Sequence, residues 1–403
     1  FFLKMDQDEE VVQVSFFTKD PKIRVTDTPI AVPVRLSRFG LSEIINHLLS
    51  GIDDDEDDDD EDDNNENDLK SKTRKSRPFD FLINNEFLRT SLKRHLETRN
   101  LTTESIHKIE YVEALPAPEP ITSFEHDDWV CAVDASRKDL FLSASYDCHI
   151  RIWNSISGKC EIDIANAHNG IVKDVRWRNK TTEDNQNMNQ VISVGDDHVV
   201  KVWQLEMNKK KSKLICTMEG HTAGIDTLMI DPTKDHAVTG SWDSDVRLWD
   251  LTAVDEIDSE STKKRKVDNE NSSTTPAKAV QGCIGVMQGH RGRVSSVDFP
   301  LTDRVYSVGW DCTLRTFDVN TLRNINTLTG PRPINTLSYS LPTGLIATGD
   351  DDKIIRIWDP RTQGSIIQKA FGSHTAWVSA LRWHPISANL LLSASHDNLL
   401  KVW

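Results

Sequence analysis

The sequence predicts an α+β domain followed by an all-β propeller, and three observations predict this division. All eleven tryptophans lie after residue 123. The part after that point repeats with a period of about 40 to 50 residues, whereas the part before it does not repeat. Between the two parts stands a proline-rich stretch, residues 115–120 (LPAPEP), whose composition is typical of a stiff linker.

The first part shows the order strand, strand, helix, strand, helical turn, strand. Alternating apolar residues predict strands, and apolar residues at i, i+3, i+4 and i+7 predict a helix. The strand positions are Val12, Val14 and Phe16; Ile30, Val32, Val34 and Leu36; Phe79, Phe81 and Ile83; and residues 106–112. The helix positions are Leu41, Ile44, Ile45 and Leu48, and residues 88–96 give a short hairpin and helical turn. This order predicts a ubiquitin-like β-grasp domain over residues 5–115, followed by a Pro-rich linker over 116–122.

The net charge of −15 comes almost entirely from one segment. Residues 53–68 hold 13 acidic residues, so the rest of the chain carries only −2 of the −15. Like-charge repulsion predicts that this segment is disordered, as an insertion over residues 53–77 of the first domain. The near-neutral remainder argues against a globally basic nucleic-acid binder and leaves direct RNA contact without support.

The other composition data point to an intracellular interaction protein. The six cysteines form no C-x-x-C pair, so they are interpreted as reduced thiols of a cytosolic or nuclear protein. No stretch approaches the roughly 18 apolar residues of a membrane span. The sequence contains no Gly-rich phosphate loop, no H-E-x-x-H and no G-x-S-x-G, so no enzyme signature is found.

The repeats of the second part share a fixed spacing. An aspartate lies six residues before the aromatic that closes each unit, and a small Ser/Thr/Gly-rich strand precedes the aspartate. The aspartates are Asp147, Asp197, Asp243, Asp311, Asp352 and Asp397, and the aromatics are Trp153, Trp203, Trp249, Phe317, Trp358 and Trp403. A histidine opens four of the units: His168, His221, His290 and His374. This pattern is the signature of WD-repeat blades, each a four-stranded antiparallel sheet, over residues 123–403.

The recurring histidines and aspartates are predicted to be structural. Together with the small hydroxyl residue and the aromatic, they can form a buried hydrogen-bonded network that ties the strands of a blade together. The fifth unit lacks the histidine and the first carries Glu125-His126-Asp127, so these two are interpreted as degenerate. Six repeats are visible, and the sixth stops at Trp403 in its third strand. We therefore expect a C-terminally truncated propeller with seven blades in the full protein.

The 68-residue interval between Trp249 and Phe317 predicts a disordered insertion over residues 252–279. It contains the compact basic run Lys263, Lys264, Arg265 and Lys266, which is typical of a nuclear localisation signal. A second basic cluster, residues 70–77, adds weak support.

Several strings of the chain resemble one particular family. Residues 38–49 (RFGLSEIINHLL), 78–83 (PFDFLI), 88–92 (LRTSL) and 127–130 (DDWV) are similar to the WD-repeat ribosome-biogenesis factor that works with Pescadillo and the block-of-proliferation protein. The resemblance implies a non-enzymatic factor in large (60S) ribosomal subunit assembly and pre-rRNA processing, located in the nucleolus and nucleoplasm. It also implies that the propeller docks on the block-of-proliferation protein.

The same resemblance implies that the ubiquitin-like domain binds the AAA ATPase midasin for release from the pre-ribosome. The residue matching the family's contact is Glu104, whose carboxylate would complete the coordination of a Mg²⁺ ion held by midasin's metal-ion-dependent adhesion site. The chain would need no cofactor of its own. The residues alone favour a turn or helix-capping role for Glu104, and only the resemblance favours the ligand role.

Two other interpretations remain open from the sequence. The chain could be a substrate adaptor of a ubiquitin ligase, because propellers often present degradation targets. It could also be a Notchless-like midasin-binding factor, although that architecture usually carries eight blades.

Overall fold

The computed structural model describes residues 10–53, 77–83, 86–88, 90–99, 102, 105–114, 121–181, 187–254, 278–280, 282–362, 364, 367–372, 374–386 and 390–403. The chain divides into two compact units, Phe1–Ile121 and Thr122–Trp403. Among the described residues, no helix is long and apolar enough to cross a membrane.

The first unit is a five-stranded mixed sheet with two helices. Its elements are β1 (Val11–Phe17), β2 (Ile30–Pro33), α1 (Arg38–Asp53), β3 (Phe79–Ile83), β4 (Glu86–Phe87), α2 (Leu92–Thr98) and β5 (His107–Glu113). The strand order is β2-β1-β5-β3-β4. β1 and β5 pair in parallel and the other neighbours pair antiparallel. This arrangement confirms the predicted α+β class.

One apolar core holds this unit together. Val12, Val14 and Phe16 alternate toward the core along β1, and Leu41 and Ile45 of α1 are fully buried against it. Polar groups at the edge of the core are paired. The Tyr111 hydroxyl donates to the carbonyl of Ile23 at 2.6 Å and accepts from the amide of Val25 at 2.9 Å. These bonds fasten the segment after β1 to the central strand.

The acidic insertion is narrower than the predicted range 53–77. α1 continues through Asp53. At the other end, the backbone amide of Arg77 donates to Asn46 Oδ1 at 3.0 Å, and Asn46 Nδ2 donates to the Arg77 carbonyl at 2.7 Å. An amide side chain of α1 therefore fixes the start of the chain that leads into β3. Residues 54–76 lie outside the described residues.

The second unit contains six antiparallel sheets, which we number as blades in chain order. Blades 1 and 2 are β6 (Val130–Asp134), β7 (Leu140–Ser145), β8 (Ile150–Asn154) and β9 (Cys160–Ile164), then β10 (Val172–Thr181), β11 (Asn187–Gly195), β12 (Val199–Glu206) and β13 (Lys211–Glu219). Blades 3 and 4 are β14 (Ile225–Ile230), β15 (His236–Ser241), β16 (Val246–Asp250) and β18 (Cys283–Met287), then β19 (Val294–Leu301), β20 (Arg304–Gly309), β21 (Thr313–Asp318) and β22 (Asn324–Thr329). Blades 5 and 6 are β23 (Ile334–Tyr339), β24 (Ile346–Asp350), β25 (Ile354–Trp358) and β26 (Ile367–Gly372), then β27 (Val378–Trp383), β28 (Leu391–Ser395) and β29 (Leu400–Val402). These sheets confirm the predicted propeller.

Carboxylates on the first strands link successive blades. Each accepts a hydrogen bond from a backbone amide on the first strand of the next blade. The pairs are Asp134 with the amide of Trp177 at 2.8 Å, Asp174 with that of Leu228 at 2.9 Å, and Asp298 with that of Tyr339 at 2.9 Å. Asp174 and Asp298 are buried, and their bonds satisfy groups that would be costly to leave unpaired in the interior.

The turn between the second and third strand of each blade has the same backbone conformation. The residue after the turn aspartate has a positive φ in all six blades: Cys148, His198, Ser244, Cys312, Lys353 and Asn398, with φ between 61° and 72°. These turns, residues 146–148, 196–198, 242–244, 310–312, 351–353 and 396–398, lie at the same end of every blade as the loop that leads into the first strand. We call that end the turn face.

The second predicted insertion lies within blade 3, between its third strand β16 and its fourth strand β18, and not between two blades. It is also narrower than the predicted range 252–279. Residues 252–254 form a helical turn in which Val254 is fully buried. At the other end, β17 (Lys278–Val280) pairs in parallel with β13 and adds a fifth strand to blade 2. The polar composition on which the prediction depended does not reveal this pairing. Residues 255–277 lie outside the described residues.

Two sheet faces are uncovered. The residue three positions after the turn aspartate is fully buried in blades 1 to 5, but in blade 6 this residue, Leu400, is 69% exposed. Leu392 and Val402 of the same face are 44% and 51% exposed. In blade 1, Val130 and Val133 of the first strand are 46% and 55% exposed, whereas their counterparts in the other blades are at most 3% exposed. Among the described residues, nothing packs on these two faces as a neighbouring blade packs elsewhere.

Candidate functional site

The repeated polar residues of a blade form one connected network, and blade 2 shows its geometry. His168 Nδ1 lies 2.7 Å from Asp197 Oδ1, and His168 Nε2 lies 2.7 Å from Ser193 Oγ. The indole Nε1 of Trp203 donates to the same hydroxyl oxygen at 2.9 Å. The four side chains come from the loop before the first strand, the second strand, the turn and the third strand. The network therefore links the loop before the first strand to the second strand, the turn and the third strand of the same blade.

The hydrogen-bond directions in this network are fixed by its end members. The indole can only donate, so the Ser193 hydroxyl accepts from Trp203 and donates its own proton to His168 Nε2. The protonated ring nitrogen is then Nδ1, which donates to the Asp197 carboxylate. Burial lowers the pKa of the His168 imidazole against the opposing effect of Asp197, which keeps the ring neutral at neutral pH.

The aspartate of the network is held ionised. Burial alone would raise the pKa of Asp197, but the hydrogen bond from His168, the amide of Asn169 and the charge of Lys201 bring it down to about 2. The pKa values of Asp147 and Asp397 are likewise lowered to about 2, despite the raising effect of burial, because backbone and side-chain donors surround them. A lowered pKa is expected for a turn carboxylate that accepts several N–H hydrogen bonds.

The same arrangement is found in four blades. The sets of histidine, aspartate, hydroxyl residue and aromatic are His168, Asp197, Ser193 and Trp203; His221, Asp243, Thr239 and Trp249; His290, Asp311, Ser307 and Phe317; and His374, Asp397, Ser393 and Trp403. In the third set Phe317 offers no donor, so the network ends at Ser307. Both ring nitrogens of each histidine face a partner inside the blade. The geometry therefore assigns these histidines to the scaffold.

Blade 1 contains a network histidine that the sequence interpretation missed. His126 Nε2 lies 2.6 Å from Ser143 Oγ, and Trp153 Nε1 donates to the same oxygen at 2.7 Å. The turn aspartate, Asp147, pairs with Arg151 at 2.7 Å. The signal was present in the sequence, because His126 precedes Ser143 by 17 residues, as His290 precedes Ser307. Blade 1 is thus less degenerate than its Glu-His opening suggested.

Blade 5 replaces the histidine with an arginine from its own third strand. Arg356 Nη1 and Nη2 donate to the two carboxylate oxygens of Asp352 at 2.9 and 2.6 Å, and Nη1 also contacts Asp350. Trp358 Nε1 still donates to Thr348 Oγ1 at 2.9 Å. Burial raises the pKa of the Asp350 carboxyl to about 6 in spite of Arg356. An ion pair here takes the place of the neutral imidazole link.

Before β5, polar contacts join Thr102 to Ser105 and His107, which lie on either side of Glu104 in the sequence. His107 Nε2 lies 2.8 Å from the carbonyl oxygen of Thr102, and the Ser105 hydroxyl donates to the same oxygen at 3.2 Å. His107 is buried at the start of β5. Glu104 itself lies outside the described residues, as do Lys263, Lys264, Arg265 and Lys266.

Among the described residues, no three His, Cys, Asp or Glu side chains converge in a group that could hold a metal ion. The described histidines and aspartates that the sequence analysis selected belong to separate networks, one in each blade. They do not meet in one polar cluster.

Comparison with family models supports both units separately. Residues 12–96 match the model described as the NLE (NUC135) domain. Five segments match the WD domain, G-beta repeat: residues 118–154, 212–250, 281–318, 322–359 and 365–403. Most of blade 2 falls between the first two segments.

Curated relatives cover almost the whole chain. The ribosome biogenesis protein WDR12 homolog of Dictyostelium discoideum is 34% identical over 99% of this chain and 85% of that protein. The WDR12 homolog of Chlamydomonas reinhardtii is 34% identical over 98% of the chain and 87% of that protein. The homolog of Oryza sativa subsp. japonica is 32% identical over 97% and 86%. Each of these alignments therefore covers both units of the chain.

Proposed function

Because the chain belongs to the WDR12 family of ribosome biogenesis proteins, we propose that it is an assembly factor for the large (60S) ribosomal subunit and is required for pre-rRNA processing. The supporting observation is that relatives named as ribosome biogenesis proteins align with nearly the whole chain, both units included. In this proposal the chain acts without catalysis of its own. The blade histidines support that part, because their ring nitrogens are committed to partners inside the blade.

The propeller is the docking module in this proposal. It binds the block-of-proliferation protein, which in turn binds Pescadillo, and so joins the pre-60S particle. Support comes from the rigidity of the blades, since the polar networks and the carboxylate links between first strands fix the loops that a partner would contact. Loops held on a rigid scaffold lose little conformational entropy on binding.

The ubiquitin-like domain is the second docking module, and its proposed partner is midasin. Glu104 would supply one carboxylate oxygen to the Mg²⁺ ion that midasin's adhesion site holds, because hard divalent cations prefer oxygen ligands. The contacts of Ser105 and His107 with the carbonyl of Thr102 support this role, since they fasten the chain on both sides of Glu104. Midasin would supply the ATP hydrolysis that removes the factor from the pre-ribosome.

We place the protein in the nucleolus and nucleoplasm. The basic run from Lys263 to Lys266 supports nuclear entry, because a compact cluster of this kind is typical of import signals. A fluorescent fusion of the 403-residue chain in which the four residues are replaced by alanine should be depleted from the nucleus. The matched change is alanine at Lys209, Lys210, Lys211 and Lys213, which lie on the rim of blade 2, and it should leave nuclear accumulation intact.

The proposal as a whole is tested by affinity purification of the tagged chain from cells. We expect precursor RNAs of the large subunit, the block-of-proliferation protein and Pescadillo in the eluate, and depletion of the chain should cause large-subunit precursors to accumulate. An eluate that contains cullin components and no pre-ribosomal RNA would contradict the proposal and favour the ubiquitin-ligase adaptor.

A further inference from the structure

The exposed tryptophans of the propeller share one face. Trp129, Trp242, Trp310 and Trp377 are between 47% and 74% exposed, and the other tryptophans of the chain are not exposed. Trp242 and Trp310 lie in the turns of blades 3 and 4, and Trp129 and Trp377 immediately precede the first strands of blades 1 and 6. All four positions belong to the turn face. Half-exposed tryptophans are costly to leave in water and are enriched at the centres of protein interfaces.

Two of these tryptophans form a built pair around an arginine. The ring centroids of Trp242 and Trp310 are 6.2 Å apart, and the Arg293 guanidinium lies 4.5 Å from the first ring and 5.0 Å from the second. Arg293 Nε also contacts the buried carboxylate of Asp226. The arginine is thus held from two directions, and it holds both indoles in fixed orientations across the boundary between blades 3 and 4. Preorganised side chains of this kind lose little entropy on binding.

Three exposed basic side chains lie on the same face, in blades 4 and 5. Arg291, Arg332 and Lys353 are exposed on the loops and turns of blades 4 and 5, and within the described part of the chain none of them forms an ion pair with a carboxylate. Arg291 adjoins Trp310 through the bond of its amide to Asp311, at 3.1 Å. Arg332 lies close enough to the neighbouring residue Cys312 to lower the pKa of its thiol, against the larger raising effect of burial.

The charge on the turn face is distributed unevenly. At blades 4 and 5, the described turn residues include one exposed acid, Asp351, whereas the same region carries three exposed bases. At blades 1 and 2 the balance is reversed, because Asp127, Asp128 and Asp196 are exposed there. A face with a basic half and an acidic half orients a charged partner before contact.

We propose that Trp242, Trp310, Arg291, Arg332 and Lys353, which we call the blade 4 patch, bind an acidic segment of a protein partner that carries aromatic or aliphatic side chains. The carboxylates of the segment pair with the three exposed bases, and its apolar side chains cover the exposed edges of the indoles. The inference does not depend on the role of Glu104, and it concerns the chemistry of the bound segment whichever protein supplies it.

The geometry favours an acidic peptide over single-stranded RNA. Proteins that bind single strands stack bases on free aromatic faces inside a continuous positive groove. Here the Arg293 guanidinium already occupies the space between the two indoles. The three exposed bases lie on blades 4 and 5, whereas exposed acids lie on blades 1 and 2, so the described part of this face offers no continuous track for a phosphate backbone.

The test uses the 403-residue chain and three fluorescein-labelled probes: a dodecapeptide that repeats Glu-Glu-Phe, one that repeats Lys-Lys-Phe, and a twelve-nucleotide oligouridylate. Fluorescence anisotropy at 0.15 M salt should show binding of the acidic peptide and no comparable binding of the other two. Trp310→Ala and Arg332→Glu should each weaken acidic-peptide binding by at least about tenfold, the loss expected when an interface hot spot is removed.

Matched variants separate the patch from general surface effects. Trp129→Ala removes an exposed tryptophan from the acidic half of the same face, and Arg323→Glu reverses an exposed charge on the opposite end of blade 4. Both should bind the acidic peptide as the unchanged chain does. Equal binding by Trp310→Ala and Arg332→Glu would overturn the proposal, and so would oligouridylate binding that those two variants abolish. Circular dichroism of every variant verifies that each one is folded.

Discussion

His168 and Asp197 are 29 positions apart in the chain, yet His168 Nδ1 lies 2.7 Å from the Asp197 carboxylate. The bond closes a loop that runs through the first two strands of blade 2, so a local turn and a distant loop are fixed by one contact. The same relationship between a loop histidine and a turn aspartate is found in blades 3, 4 and 6. This repetition makes the propeller a rigid support for its exposed loops.

Removing the central hydroxyl of this network should destabilise the propeller. Ser193→Ala leaves His168 Nε2 and Trp203 Nε1 buried without a partner, which costs about 3 kcal/mol in the free energy of unfolding. Trp203→Phe should cost less, because blade 4 carries Phe317 at the matching position. Urea unfolding followed by circular dichroism gives both values.

The control for this experiment is Ser157→Ala, at an exposed position between the third and fourth strands of blade 1. Its effect should stay within about 0.5 kcal/mol, as for most exposed substitutions. A loss in Ser193→Ala no larger than that in Ser157→Ala would contradict the structural role of the network.

Acid should destabilise the propeller most steeply below about pH 4. The folded pKa of Asp197 is about 2, because the donors of the network outweigh the raising effect of burial, whereas an unfolded aspartate has a pKa of about 3.9. The unfolded state therefore binds the proton first. The stabilisation is present above pH 3.9 and is lost as the pH falls from 3.9 through 2. Burial raises the pKa of Asp350 to about 6, so this carboxyl has the opposite effect on stability: its contribution rises as the pH falls from 6 to 4.

The measurement is the melting temperature across pH 2.5 to 7. Asp197→Asn removes one of the turn carboxylates with a lowered pKa, so its curve should be flatter below pH 4 than that of the unchanged chain. Asp139→Asn alters an exposed aspartate that immediately precedes the second strand of blade 1 and serves as the control. Parallel curves for Asp197→Asn and the unchanged chain below pH 4 would contradict this account.

The two uncovered sheet faces should make the 403-residue chain associate with itself. Leu400 and Val402 are exposed at positions that are buried in other blades, and exposed apolar area of this kind promotes association. Leu400→Lys should lower the sedimentation coefficient of the associated species and leave the melting temperature unchanged. Ile150→Lys places the same charge at the matching, fully buried position of blade 1 and should unfold the blade. Equal destabilisation by the two changes would show that the blade 6 face is covered.

The sequence predicted the blades because their signals are local. The spacing of six residues between Asp197 and Trp203 fixes a turn and the strand after it, and such short-range patterns survive in all six units. The role of His126 was missed because this histidine stands in an acidic stretch, between Glu125 and Asp127, that does not resemble the openings of the other units. The pairing of β17 with β13 was missed because a strand at the end of a polar insertion has no apolar alternation of its own.

The patch around Trp310 could not be predicted from the sequence for a different reason. Trp242 and Trp310 occupy equivalent turns in blades 3 and 4, but nothing in the chain between them shows that Arg293 lies between their rings. Which side chains meet on one face depends on how neighbouring blades pack. Glu104, in contrast, came from a family resemblance and not from spacing or composition.

The most direct test of the proposed function is binding of the full chain to midasin's adhesion-site domain. Pull-downs would be made in Mg²⁺ and in EDTA, with the unchanged chain, Glu104→Ala, and Glu113→Ala as a control at an exposed glutamate of the same unit. We predict binding that requires Mg²⁺, is lost in Glu104→Ala and is retained in Glu113→Ala. Binding that is absent, persists in EDTA or is unaffected by Glu104→Ala would contradict the role of this domain.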